Sequence, residues 1–325
     1  MARINNFANG FTNGVLIRGL PLTQVHPGRV FWVNNSTVLP DGGIGGSNGN
    51  DGSYLRPFST IDYAIGRCKA SRGDVILVMP GYTQTISAAA GITFDVAGVA
   101  VVGLGIGSLR PTITFDTATT ADISVTADNV SIQNMIFVSN FLDVADCFDI
   151  VSAAEFTVEY CEFRDTSSSL GFTNIIDTDA VANGCDGLYF CHNRVSTLDA
   201  TAGTSVINID EAQDRVTAND NFIVMAALNN TPALLDLATF VMTNLEVARN
   251  VVFRPSTDTA TGGVLLEGTG EGMTGMVYGN HCKTLDVAGM LIMTLSSALG
   301  FHENYLSGTA DTSGLLIPAA DSDGS

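Results

Sequence analysis

Phe156-Thr-Val-Glu-Tyr-Cys-Glu-Phe163 alternates apolar and polar residues, pauses at a small or polar position, and resumes with apolar ones. The same pattern returns in Val130-Ser-Ile-Gln-Asn-Met-Ile-Phe137, Leu188-Tyr-Phe-Cys-His-Asn-Arg-Val195, Val216-Thr-Ala-Asn-Asp-Asn-Phe-Ile223, Leu245-Glu-Val-Ala-Arg-Asn-Val-Val252 and Leu299-Gly-Phe-His-Glu-Asn-Tyr-Leu306. A degenerate copy, Val277-Tyr-Gly-Asn280, falls in the gap. Aligned on Met135, Cys161, Asn193, Asn221, Asn250, His281 and Asn304, the copies follow one another at steps of 23 to 32 residues. A unit of this period buries its apolar side only against its neighbours, which is the logic of a solenoid built coil on coil.

The composition agrees. Of the 325 residues 46% are hydrophobic and only 14% charged, with 34 glycines, so the chain predicts densely turned strand and excludes disorder. A solenoid grows by adding coils, so one elongated domain is expected. The formal charge is −19, yet residues 1 to 40 contain Arg3, Arg18 and Arg29 and no acid. So acidic a body repels a phosphate backbone, and no basic stripe with interleaved aromatics exists, so nucleic acid is not an expected partner. The acid-free arm suits an acidic surface, its own body or another protein, or is an ordinary strand-rich N-terminus. No run approaches the roughly 20 apolar residues of a membrane span, so no membrane partner is expected. The six cysteines show no Cys-x-x-Cys spacing, and no apolar signal run follows Met1. Cys185 and Cys191 are near enough in sequence to meet across a turn, but buried free thiols are the expectation.

Four segments divide the chain: an arm over 1–35, a glycine-rich loop and capping helix over 36–72, the stack of coils over 73–318, and a tail over 319–325. In the second segment, Asp41-Gly-Gly-Ile-Gly-Gly-Ser-Asn-Gly-Asn-Asp-Gly52 lacks the terminal bidentate acid of a calcium loop and reads as a tight connection. Ser59 is the predicted N-cap of a helix whose apolar face is Ile61, Ala64, Ile65 and Cys68 and which ends near Ser71-Arg72-Gly73. Such a helix covers the open end of a stack, hiding apolar side chains and unpaired strand edges. Asp74-Val-Ile-Leu-Val-Met79 before Pro80-Gly81 reads as a buried parallel strand. Within the coils, Val130, Ile132, Phe156, Val158, Leu188 and Phe190 are expected to point inward and Ser131, Thr157 and Tyr189 outward. Asn193, Asn221, Asn250 and Asn304 are expected to mark a corner, in left-handed backbone, with each amide bonding to the next copy. Nine or ten coils about 4.8 Å apart give a prism roughly 45 to 50 Å long.

Few residues suggest chemistry. Gly103-Leu-Gly-Ile-Gly107 leads into a strand rather than a helix, so corners explain it better than phosphate binding. Asp177, Asp210 and Glu267 each follow the last apolar residue of an equivalent strand, and Asp236 lies close by, so an acidic file is expected on one face. Carboxylates on neighbouring coils can divide acid and base roles in glycoside hydrolysis, and Asp177 with Asp210 is the pair to test. His26, His192, His281 and His302 form no triad or metal spacing and read as turn or surface residues. Tyr189, Tyr278 and Tyr305 are candidate glycan contacts, without a clear aromatic platform.

Trp32-Val33, Ser47-Asn-Gly-Asn-Asp-Gly52, Pro57-Phe-Ser-Thr-Ile-Asp-Tyr-Ala-Ile65 and Gly73-Asp-Val-Ile-Leu-Val-Met-Pro-Gly-Tyr82 resemble the leading segment of pectate-lyase-like right-handed parallel β-helix proteins. With the Asn-Gly arm, Gly19-Leu-Pro-Leu22 and the ending Gly314-Leu-Leu-Ile-Pro-Ala-Ala-Asp321, the whole chain resembles β-helix virion proteins of tailed bacteriophages. The resemblance implies an all-β fold, a right-handed parallel β-helix with an N-terminal capping helix. It also implies a homotrimer located in the virion and made in the host cytoplasm, whose partner is the major capsid protein or another virion protein. A capsid decoration role is favoured. The alternative is a tailspike that binds or degrades a host surface glycan. The calcium-and-arginine site of pectate lyases has no counterpart: Arg194, Arg215 and Arg249 lie near corners without clustered aspartates. No cofactor is expected, and no residue is assigned a catalytic, cofactor-binding or metal-binding role.

Overall fold

Strict alternation sorts the side chains of each short strand into two sets, and burying one set requires strands of successive coils to lie in register. A computed structural model describes residues 16–17, 20–21, 28–37, 42–198, 205–226, 233–237, 239–255, 263–267, 272–284, 290–293, 299–307 and 314–316. Three long sheets result. The first has ten parallel strands, from Val30–Val33 to Leu299–His302. The second runs from Thr83–Ile86 to Asn304–Ser307 and ends on the antiparallel strand Gly314–Leu316. The third has eight strands, from Ile92–Phe94 to Met290–Met293.

The chain visits the sheets in rotation, so the architecture is a parallel β-helix. Eight coils place a strand in all three sheets among the described residues, close to the nine or ten expected. Val30–Val33, within the segment read as the arm, is the first strand of the first sheet and pairs in parallel with Val75–Val78.

Register turns single residues into columns. Val158 pairs with Ile132 on one side and Phe190 on the other, and Phe190 with Ala218, all fully buried or nearly so. In the second sheet Phe137 pairs with Phe163, and their rings stack 5.1 Å apart at 13°. Phe148 of the third sheet packs edge-on against Phe137, Phe156 and Phe163, so rings from all three sheets meet in mid-stack. The six cysteines are free thiols, all buried except the half-buried Cys68. Cys185 and Cys191 thus add bulk to the core, where burial pushes their thiols up to about 12 and about 11.

The capping helix is shorter than the sequence predicts, Ile61–Ile65, and its N-cap is Thr60 rather than Ser59. The Thr60 hydroxyl accepts from the Tyr63 amide, while the Ser59 hydroxyl donates to Asn48 in the glycine-rich loop. Asp62, three residues after Ser59, does not accept the Ser59 amide, which donates to Asn48 instead. It accepts from the Thr93 amide and ties the helix to the first strand of the third sheet. Ile61, Ala64 and Ile65 are buried over the end of the stack, as the apolar face requires. Beneath them Asp74 has a fully buried side chain that binds Arg72 through two hydrogen bonds and accepts the amides of Arg29 and Lys69. Burial raises its proton affinity, but those four donors outweigh burial and hold the carboxyl below its ordinary range.

The glycine-rich loop folds back as a tight connection, its amides and carbonyls pairing with Trp32, Ser36 and Pro57. Gly52 sits at φ +77°, and a side chain there would run into the Phe58 ring, so glycine is required. In Gly103-Leu-Gly-Ile-Gly107 the first glycine ends a strand, and Gly105 and Gly107 take positive φ before a short 3-10 turn. They are corners, as expected.

Candidate functional site

Two features recur from coil to coil on a scale that chemistry could use. The first is the asparagine corner. Asn193, Asn221, Asn250, Asn280 and Asn304 are all buried, and each side-chain oxygen accepts a backbone amide from the coil before: Cys161, Asn193, Asn221, Asn250 and Asn280 respectively, at 2.9 to 3.1 Å. Each side-chain nitrogen donates to a carbonyl of that preceding coil, Val158, Phe190, Ala218, Val247 and Val277 in turn. Every ladder amide therefore satisfies backbone groups that the corner would otherwise orphan.

Two details differ from the sequence reading. The degenerate copy at Val277-Tyr-Gly-Asn280 enters the ladder through Asn280, not His281, which starts the next strand. The left-handed residue is the one before each asparagine: His192, Asp220, Arg249 and Glu303 at φ 54° to 58° and Gly279 at 65°, with Tyr160 at 55° before Cys161 in the same corner. The turn places that residue outside and sends the following amide inward, so a buried bonding pattern rather than backbone tolerance selects asparagine.

The exposed corner residues pair along the stack. Tyr160 stacks on His192, which lies 4.0 Å from Glu159 and 3.9 Å from Asp220. Arg249 grips Asp220 through two hydrogen bonds and lies over Tyr278, which stacks on His302. Arg215 pairs with Glu155 and Asp214, while Arg194 opens a strand of the second sheet and lies over Phe222. His281 stacks on Tyr305 in the second sheet. Tyr189 and Tyr278 occupy different columns of the first sheet, so the three tyrosines do not assemble into one surface. His26 lies outside the described residues.

The second feature is the acidic file of the third sheet. Register sets Asp149 beside Asp177, then Asn208, Asp236 and Glu267. Asp177, Asp236 and Glu267 therefore share a column as expected, but Asp210 lies two residues beyond it and Asn208 takes its place. The cause is an extra buried residue, Ile209, after the paired part of that strand. Asp210 still approaches Asp177, because the Asn208 side-chain nitrogen donates to both, at 3.1 and 2.7 Å. Their acceptor oxygens are thus no more than about 6 Å apart, a spacing compatible with paired carboxylate chemistry.

Sequence reasoning missed Asp146 and Asp149. Asn174 reaches both Asp146 and Asp177, at 3.5 and 3.3 Å, which extends the chain of alternating acids and amides to Asp146, Asn174, Asp177, Asn208 and Asp210. Phe148-Asp149-Ile150 copies Ile176-Asp177-Thr178, a signal that could have found Asp149. Asp146 stands before an irregularity in its strand, where Cys147 and Phe148 are both buried, and alternation hides it.

Burial, with Asp177 nearby, pushes the Asp146 carboxyl up to about 8, so it holds its proton at neutral pH. Burial and the neighbouring Asp179 push Asp149 to about 6, and burial raises Asp177 against the Asn208 hydrogen bond. Proton donor and acceptor carboxyls thus coexist on one face. The ordinary value of 3.8 lies below the folded value of about 8 for Asp146, so between these limits the folded chain keeps a proton that the unfolded chain releases. Stability should accordingly fall as pH rises through that window. Asp146→Asn is expected to flatten the dependence and to exceed the parent protein at about pH 9, read from urea midpoints at about pH 5 and about pH 9. Unchanged midpoints in the variant at the higher pH would contradict this.

Coil order, register and core make this chain a parallel β-helix protein. No protein-family model matches the sequence, and no curated protein does. Among solved structures a rhamnogalacturonan lyase is similar over 90% of both chains, with 14% identity and a TM-score of 0.41. That likeness concerns the fold alone.

Proposed function

We propose that this chain is a structural protein of a tailed-bacteriophage virion, a homotrimer that decorates and braces the capsid shell. The observation that supports it most is the buried amide ladder from Cys161 to Asn304, which fastens each coil to the next by hydrogen bonds out of reach of solvent. Such a stack is suited to transmit force as one rigid rod. The acid-free arm and the resemblance of the opening and closing segments to phage β-helix proteins support the same reading. A protein that binds only assembled shell stabilises it by mass action. Imaging and quantitative mass spectrometry of purified particles test this. Many copies over the shell, and a lower melting temperature of particles lacking them, are expected; a few copies at the tail, or none, would overturn it.

A second reading is favoured by the acid–amide chain from Asp146 to Asp210. Its amide-bridged carboxyls, with burial raising Asp146 to about 8 and Asp149 to about 6, put a proton donor beside an acceptor, as sugar cleavage requires. In that case Asp177→Asn and Asp210→Asn should each lose roughly 10²- to 10⁴-fold in reducing-end release from host polysaccharide. No cleavage by the parent protein would remove this reading.

A further inference from the structure

The outer face of the second sheet differs from the rest of the surface. In-register strands line up Glu162, Arg194, Phe222, Val251, His281 and Tyr305 in one outward column. Phe222, Val251 and Tyr305 are 43%, 42% and 42% exposed although they are apolar and close together. The neighbouring column adds Arg164, Phe253 and Lys283, with Lys283 over the Phe253 ring as Arg194 is over Phe222. The chain has 33 acids and 14 basic residues, yet Glu162 is the one carboxylate in these two columns among the described residues, and Arg110 and Arg164 both pair with it. An exposed stripe of rings, aliphatics and arginine has the composition of a contact surface.

We infer that this face, between Arg194 and Ser307, is where copies of the chain pack against one another. Charge decides the occupant. The outer column of the third sheet carries Asp149, Asp177 and Asp236, and the outer face of the first sheet carries Glu159 and Glu246 in two neighbouring columns. Copies meeting through either would set carboxylates together while removing water, which is costly. The second sheet is where a chain of net charge −19 can approach itself while burying apolar area. The inference rests on the homotrimeric part of the proposed function and supplies its contact surface.

Sedimentation of the full chain over micromolar concentrations tests it. The parent protein should sediment as a trimer. Phe222→Asp with Val251→Asp should sediment as a monomer with an unchanged β circular-dichroism signal, an association at least 100-fold weaker. Ile106→Asp, at a corner position 80% exposed, should remain trimeric. Should the double variant lose its β signal, Arg194→Glu replaces it, and the trimer should then dissociate at concentrations where the parent does not. A trimeric folded double variant, a trimeric Arg194→Glu in that event, or a monomeric parent, including one that binds glycans through Tyr305, would overturn the inference. Particles that carry the protein while its variants stay trimeric would refute the face and leave the virion reading standing; trimers absent from particles would do the reverse.

Discussion

Asn250→Ala is expected to destabilise the chain by about 2–4 kcal/mol, far beyond the effect of a typical surface change. Asn250 stands mid-ladder. Its oxygen accepts both the backbone and side-chain nitrogens of Asn221, at 3.0 and 2.9 Å. Its side-chain nitrogen donates to the Ala218 carbonyl and to Asn280, at 2.8 and 2.9 Å. The Asn221 side chain keeps a bond to Phe190, but the buried Asn221 backbone amide loses its partner, and an orphaned buried donor costs about 1–3 kcal/mol by itself. Asn250→Asp should fare no better, because its carboxylate presents acceptors to the Ala218 carbonyl and the Asn280 oxygen. In a stack whose stability is a sum over neighbouring coils, a weak joint in the middle uncouples the ends. The urea transition of Asn250→Ala should therefore broaden or split as well as shift. A single unshifted transition would show that the ladder contributes no cohesion.

Phe163→Ala is expected to cost about 3–5 kcal/mol in the same measurement. Phe163 is fully buried and stacks on Phe137, with Phe190 tilted against it from the first sheet and Phe148 edge-on from the third. Coils held by backbone hydrogen bonds cannot collapse around a missing ring, so the cavity persists. Phe163→Leu keeps most of the volume and should lose less than about 1.5 kcal/mol. Phe222→Ala, on the outer face, should change a monomer's stability by less than about 0.5 kcal/mol, and a loss comparable to that of Phe163→Ala would mean the strand faces are assigned wrongly.

Much of this was legible because a stacked coil repeats its own chemistry. Alternation over Phe156 to Phe163 fixed which side chains enter the core, and the return of the pattern fixed that coils stack. The acidic face was legible as a tendency, since Asp177, Asp236 and Glu267 do share a column. Its membership was not. Counting from the apolar residue before each acid places Asp210 in the file, but Ile209 lies beyond the paired segment, which carries Asp210 out of it and leaves Asn208 in it. Asp146 escaped notice because two successive buried residues, Cys147 and Phe148, interrupt the period of two.

The sequence by itself determined the class of fold, the inward set of each strand and the presence of an amide at nearly every corner, because these depend on alternation and spacing within about thirty residues. Only the tertiary structure decided which residues face one another between coils: Asn280 rather than His281 in the ladder, Asp149 beside Asp177, and Phe222, Val251 and Tyr305 in one exposed column. The loops joining the strands differ in length, and a shift of one residue across a parallel ladder exchanges inside for outside. Register is therefore settled by the summed fit of core, corner and loop over the whole stack, which no single coil records.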